Sequence, residues 1–249
     1  AADYLVEGEP NYFGGIQGVW NEVFNAMMQT AESIQTDAPQ NKIDFSGMSQ
    51  AELSSFIKGL HSNTLAVGRS LSAQPEFTDA TSLLDVGGGS GGLAIALCEA
   101  HPKLHATVVE LPSVVPIAAE MVEEAGLAER IIVTSRNILN DPLEGDFDIA
   151  TARSLFQVLS ATECAAAAQN IGAGLVRGGT LFVIGAATDD SHLAPLSAVG
   201  MNLTFQSLLD GGAAYTESTY RTWLTNAGFA DITREPHMGG ASLFTARKT

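Results

Sequence analysis

"LLDVGGGSGGLAIALCEAHP", residues 83–102, decides the fold. Leu83, Leu84 and Val86 form an apolar run that glycine cuts off, too short for a helix and right for a buried strand. Gly87, Gly88, Gly89, Ser90, Gly91 and Gly92 then make a turn, and Leu93, Ile95, Leu97 and Cys98 open a helix. Glycine lets the backbone take positive φ and lets a ligand approach the helix N-terminus, where unpaired N–H groups point outward. Nineteen residues after Gly91, the segment "LHATVVELP" (104–112) ends a second strand on Glu110. A carboxylate there can accept both hydroxyls of a ribose. Together these features describe a site for an adenosine-bearing cofactor at the carboxyl edge of a parallel sheet.

The chain around this stretch reads the same way. "SLLDV" (82–86), "HATVVE" (105–110), "RIIVTS" (130–135), "DFDIATA" (146–152) and "TLFVIGAA" (180–187) are short apolar runs separated by helical patterns. That alternation is the mark of βαβ units around a mainly parallel sheet. "FADITREP" (229–236) and "ASLFTARK" (241–248) are joined only by "HMGG", a connection short enough to permit only an antiparallel hairpin. Upstream, residues 12–35 place Val19, Val23, Phe24, Met27 and Met28 at helical spacing. A second helical stretch runs from Ser49 to about Leu71 and opens with Ser49 and Glu52 in capping-box spacing. The expected fold is α/β, a Rossmann-like parallel sheet with a C-terminal antiparallel hairpin, preceded by helices. The expected division is a helical segment over 1–75 and a cofactor-binding domain over 76–249.

With 249 residues, 45% of them hydrophobic, the chain can bury one large core with a smaller appendage. Its net charge of −16 argues against nucleic acid or an anionic membrane as partner, while leaving a cationic small molecule unopposed. Cys98 and Cys164 sit among apolar neighbours in expected helices, as small core residues of a reducing compartment. No apolar run reaches the ~18 residues of a membrane span, and "AADYLVEGEP" has none of the regions of a signal peptide. A cytoplasmic location is the expectation. The five histidines lack the paired spacing of a zinc site, so no metal is expected.

Two cofactors fit the glycine turn. Gly87, Gly89 and Gly92 satisfy the GxGxxG spacing of a nicotinamide dinucleotide site, a weak signal alone. S-adenosylmethionine (SAM) is favoured on three grounds. Asp85 precedes the loop, awkward beside a pyrophosphate but useful near an amino-acid group or a sulfonium. Five glycines in the six residues 87–92 widen the turn. The reversed hairpin at the C-terminus belongs to methyltransferase sheets.

On these residues the chain resembles the SAM-dependent O-methyltransferase family that includes the plant caffeate-type and the bacterial polyketide and carotenoid enzymes. "LLDVGGGSGG" and "VVELPSVV" (108–115) are similar to the family's first two motifs, and "LVRGGTLFVIG" (175–185) to the approach to its fifth strand. "YTESTYRTWLTNAGF" (215–229) resembles the helix before the terminal hairpin, and "SSFIKGLHSNT" (54–64) the helix that closes over the cofactor. The resemblance implies that Gly87, Gly89, Gly91, Glu110 and Leu111 hold the methionine and ribose portions, with Leu60 and Thr64 touching from above, and Asp85 and Gly88 complete the expected cofactor set. Asn137, beside Ile138, falls where the family usually has an aspartate near the adenine, and Arg153 where a cofactor-contacting lysine is common. It also implies a homodimer formed through an N-terminal domain that would precede "LVEGEPNYFGG" (5–15).

The resemblance fails at one place. The family's catalytic histidine, which deprotonates the substrate hydroxyl, falls within "ARSLFQVLS" (152–160), on Gln157, or on Phe156 if the alignment slips by one. The two acids that usually flank it fall on Gly185 and Ala214. A phenol with a pKa of about 10 is a poor nucleophile at neutral pH without a base. Three readings follow. In the first, the small-molecule acceptor is a sulfur, nitrogen or carbon nucleophile that needs no strong base, and Gln157 orients it. In the second, the base has moved to His61, His192 or Tyr215. In the third, the protein binds SAM without methylating. Behind methyl transfer and binding without methylation, a nicotinamide-dependent oxidoreductase is a distant third. The helix in "SAVGMNLTFQSLLDGG" (197–212) would offer Met201, Asn202 and Phe205 to the acceptor, with Phe156 nearby. Methionine and phenylalanine at this spacing also suit a plain core.

Overall fold

The structure, a computed structural model, describes residues 5–6, 12–45, 47–141 and 143–249. Most of the opening decapeptide, and residues 7–11 of the segment 5–15, lie outside the described residues. The chain forms two compact units, residues 1–24 with 44–136, and residues 25–43 with 137–249.

The stretch expected as one helix over 12–35 is broken. Helix α1 (Gln17–Met27) stops at Met28 and Gln29, and α2 (Thr30–Thr36) restarts the spiral. Phe24, Met27 and Met28, expected on one apolar stripe, are exposed. The capping box at Ser49 is present: its hydroxyl accepts from Glu52 N–H, and the Glu52 carboxylate accepts from Ser49 N–H at 2.8 Å. The helix it starts ends sooner than expected, so α3 (Gln50–Gly59) and α4 (His61–Leu71) are separated at Leu60. A Cβ at Gly59 would lie 2.6 Å from the Gly15 carbonyl oxygen, so only glycine permits that approach.

In the first unit, β1 (Ser82–Val86) runs parallel to β2 (His105–Glu110), and β2 parallel to β3 (Ile131–Ser135). Helix α5 (Gly92–Ala100) follows β1, and α6 (Val115–Glu124) follows β2. All residues of α5 from Gly92 to Cys98 are buried, which matches a helix apolar on every face. Helix α4 lies directly on α5. A Cβ at Gly68 would come 2.7 Å from the Ala96 Cβ. The register pairs Val86 with Val109, so Gly87 leaves the sheet level with Glu110.

In the second unit, β4 (Phe147–Arg153) runs parallel to β5 (Leu175–Gly185). Strand β5 starts five residues earlier than the apolar run predicts, with Leu175 paired to Phe147. A single 3-10 turn, Phe156–Val158, follows β4, and α7 (Ala161–Ala173) begins after Ser160. Helices α8 (Leu196–Leu208) and α9 (Glu217–Asn226) precede β6 (Phe229–Pro236) and β7 (Ser242–Lys248). Strand β7 pairs antiparallel with both β5 and β6, the expected reversed hairpin. Phe156, Tyr220, Trp223 and Phe244 form an aromatic core, with the Tyr220 and Phe244 rings stacked at 4.5 Å. The fold is thus mixed α/β, its strands parallel except for the C-terminal pair.

Both cysteines are free and buried, and burial pushes the thiols of Cys98 and Cys164 up to about 11 and about 12. They are small core residues. Among the described residues, no helix is long and apolar enough to cross a membrane.

Candidate active site

The glycine turn in the first unit is built by conformation and by space. Gly87, Gly89 and Gly91 have φ of 66°, 59° and 72°, in the left-handed region that glycine enters without strain. Gly88 is required for a different reason: a Cβ there would sit 2.6 Å from Asp85 Oδ2 and 2.7 Å from Val108 Cγ1. A Cβ at Gly89, by contrast, would meet no atom within 4 Å, so the turn presents bare backbone to an open face.

Glu110 closes the other side of this cradle. Its Oε1 accepts from Gly89 N–H and its Oε2 from Leu111 N–H, each at 2.8 Å. Burial raises its pKa above the ordinary carboxylate range, against the pull of the Leu111 and Gly89 N–H groups. Asp85 is buried on β1 beneath the turn, and Leu111 is exposed at the rim. Thr64 is buried on α4, its hydroxyl donating to the Leu60 carbonyl at 3.0 Å. A Cβ at Gly92 would meet Thr64 Cβ at 3.2 Å and His61 Nδ1 at 3.1 Å, so this face of α4 covers the start of α5. The structure therefore brings Asp85, the glycines, Glu110, Leu111, Leu60 and Thr64 into one unit around the turn. An adenosine-bearing cofactor fits this cradle: open backbone at Gly89, an adjacent helix N-terminus, and a carboxylate already oriented by backbone donors.

Sequence reasoning names His61 and Ser90 separately but not their pairing. His61 Nδ1 lies 2.8 Å from Ser90 Oγ, in the middle of the turn. Burial, followed by the Arg69 charge, lowers the His61 pKa, so its imidazole is neutral at pH 7.

The remaining expected residues lie in the second unit. Asn137 Oδ1 accepts from Leu139 N–H at 3.0 Å, and Ile138 is buried with its carbonyl accepting from Asn170 Nδ2. Arg153 ends β4, half-buried. Ser154 then takes φ 55°, and the chain enters the turn that carries Gln157. Gln157 Oε1 accepts from Ala186 N–H at 2.9 Å. Tyr215 donates toward the carbonyls of Leu159 at 2.7 Å and Gly211 at 2.9 Å, and burial pushes its pKa up to about 12. A phenol used as a donor with that pKa has no basicity to offer at pH 7. His192 is exposed in the turn after β5.

On the expected acceptor wall, Phe205 is buried with Ala186, Ala198 and Ala214, and Met201 packs against them. Asn202 Oδ1 accepts from Ala214 N–H at 2.8 Å, tying α8 to the loop before α9. Phe156 is only 1% exposed, inside the aromatic core. Arg234, 13% exposed at its side chain, donates to the carbonyls of Ala187 at 2.6 Å and Thr188 at 3.1 Å, which fixes the chain just beyond Ala186. Among the described residues, no group of three His, Cys, Asp or Glu side chains could hold a metal.

Known proteins share this fold. Residues 20–230 match the sequence profile of the O-methyltransferase domain. A 3-hydroxy-5-methyl-1-naphthoate 3-O-methyltransferase of Streptomyces sahachiroi is 30% identical over 239 residues, covering 93% of this chain and 68% of the relative. The crystal structure of the apo SAM-dependent methyltransferase SibL is 25% identical with a TM-score of 0.76, covering 93% of this chain and 75% of that one. Human N-acetylserotonin methyltransferase, solved in complex with SAM, has the same fold at 21% identity and a TM-score of 0.85, covering 99% of this chain and 73% of that one.

Proposed function

This chain belongs to the O-methyltransferase family, and from that premise we propose that it transfers the methyl group of SAM to a small-molecule acceptor. SAM supplies an electrophilic methyl carried on a sulfonium. The chain's own residues bind and align. The turn from Gly87 to Gly91 and the N-terminus of α5 receive the amino-acid portion, and Glu110 receives the ribose hydroxyls. The observation that carries this reading is Glu110: a carboxylate held by two backbone N–H groups beside bare glycine backbone. Its remaining lone pairs can accept a diol, since an ionised carboxylate has room for about four acceptances.

Calorimetric titration tests the assignment. SAM and its product S-adenosylhomocysteine bind the wild type, and NADH does not. Glu110→Ala, which removes the diol acceptor and loosens Gly89, weakens SAM binding about tenfold to a hundredfold. Unchanged affinity in that variant sinks the assignment.

The acceptor side supports alignment more than base catalysis. Gln157 has no basic atom, and Tyr215 is committed as a donor. The relative from Streptomyces sahachiroi is named for methylating a hydroxynaphthoate. A flat, largely apolar acceptor of that kind suits a wall of Phe205 and Met201. Methyl transfer to a nucleophile that is already reactive needs little beyond proximity and in-line geometry. A second reading keeps His61 as a relocated base, favoured by its buried, neutral imidazole. It predicts a rate that climbs with pH and is abolished in His61→Ala.

A further inference from the structure

The orientation of the Gln157 amide is chemically fixed. A backbone N–H only donates, so the atom 2.9 Å from Ala186 N is the amide oxygen. Gly185 makes the contact possible, since a Cβ there would lie 2.9 Å from Oε1 and drive the amide away. Gln157 and Gly185 are therefore a matched pair. Among the described residues, this is the one side-chain hydrogen bond Gln157 makes, and it uses only the oxygen. The group left for a ligand is Nε2, a donor. Ala186, which anchors the amide, belongs to the apolar cluster of Ala198, Phe205 and Ala214. A donor beside such a wall acts in a weakened dielectric, where its preference for negative charge is strongest.

The chemistry of the donor selects the acceptor. An amine has one lone pair, and accepting from Nε2 would occupy the pair that must attack. A thioether accepts hydrogen bonds only weakly. An oxyanion has three lone pairs, so one can accept from Nε2 while another attacks carbon. Hydrogen bonds to ionised groups are also the stronger class. Resting on the function proposed above, we propose that the acceptor is an acidic aryl or enolic hydroxyl that arrives ionised, with Gln157 Nε2 holding its oxyanion. The hydroxyl proton goes to water before binding. An oxygen lone pair then forms the new C–O bond as the S–CH3 bond breaks and its electron pair returns to sulfur.

Two probes of one ring system test this. 2-Hydroxy-1,4-naphthoquinone is an acidic enol, ionised at pH 7, and 2-naphthol is protonated there. Wild type, Gln157→Glu and Gln157→Leu are compared for SAM affinity and for kcat/KM on each probe from pH 6 to 9. Wild type should favour the naphthoquinone at least about tenfold, with a flat profile. Gln157→Glu keeps an oxygen for Ala186 N–H but exchanges the donor for an acceptor. It should lose about tenfold to a hundredfold on the ionised probe and gain on 2-naphthol, with SAM affinity unchanged. Gln157→Leu should lose on the ionised probe with no gain on the other, and it carries the test if the glutamate variant does not fold. Preference of the wild type for 2-naphthol overturns the proposal. So does an unaltered preference in both variants, or SAM binding with transfer to neither probe. Failure of the wild type to bind SAM instead defeats the function itself.

Discussion

At the scale of single residues, the cofactor cradle and the acceptor site differ in how far apart their partners lie in sequence. Glycines in a row and an acid nineteen residues on are a local pattern, so the turn at Gly89 and Gly91 and the carboxylate of Glu110 beside it are legible in the sequence alone. The pairing of Gln157 with Ala186 spans 29 residues and depends on an absent side chain at Gly185. No spacing rule announces it. Gly185→Ala should break that bond, costing about 1–2 kcal/mol for the lost contact and the amide left without its partner; urea unfolding against wild type measures the cost, and a null effect would mean that the amide has other anchors. Glu110 makes a pH prediction. Its folded pKa is raised by burial, so its contribution to fold stability is present below the unfolded value near 4.5 and is lost as pH rises through the folded one. Binding runs the other way, because the ionised carboxylate is the form that accepts hydroxyls. SAM affinity should therefore fall on acidification at a pH above the ordinary carboxylate range of about 4.3. Calorimetry across pH 4 to 7 would show this, and Glu110→Ala should flatten the curve.

At the scale of elements, the strands are legible in the sequence and the helix ends are not. Five parallel-type runs and the terminal hairpin appear near their expected places because short apolar runs bounded by turns and helical patterns are a local signal. A long-range contact sits at one break: where α3 ends, Gly59 meets Gly15, a residue 44 positions away. Caps are the exception, since their partners are three residues apart. The box at Ser49 is expected from its spacing to Glu52, and the structure adds a second one at Ser160, where Glu163 carries the same signal. Ser160 matters for the site, since it starts α7 immediately after the Gln157 turn. Ser160→Ala should cost about 1 kcal/mol of stability in chemical denaturation. It should also lower kcat/KM, since the Gln157 turn loses the helix start that follows it.

For the whole molecule, charge and ligand set the behaviour in solution. A net charge of −16 on 249 residues opposes compaction through self-repulsion, and salt screens it. Raising sodium chloride from 10 to 200 mM should lift Tm by a few degrees in calorimetry, while a fall would mean that specific ion pairs outweigh the net charge. Family membership extends over most of the chain, whereas the acceptor contact proposed for Gln157 is confined to one turn. The methyl-transferring frame and the choice of acceptor thus rest on different parts of the sequence. The most direct measurement is transfer of isotopically labelled methyl from SAM to aromatic hydroxyl acceptors, with the product identified by mass spectrometry. Label on the acceptor oxygen, with one S-adenosylhomocysteine formed per product, is the predicted result. SAM that binds but is never consumed, with any acceptor of the series, would contradict it.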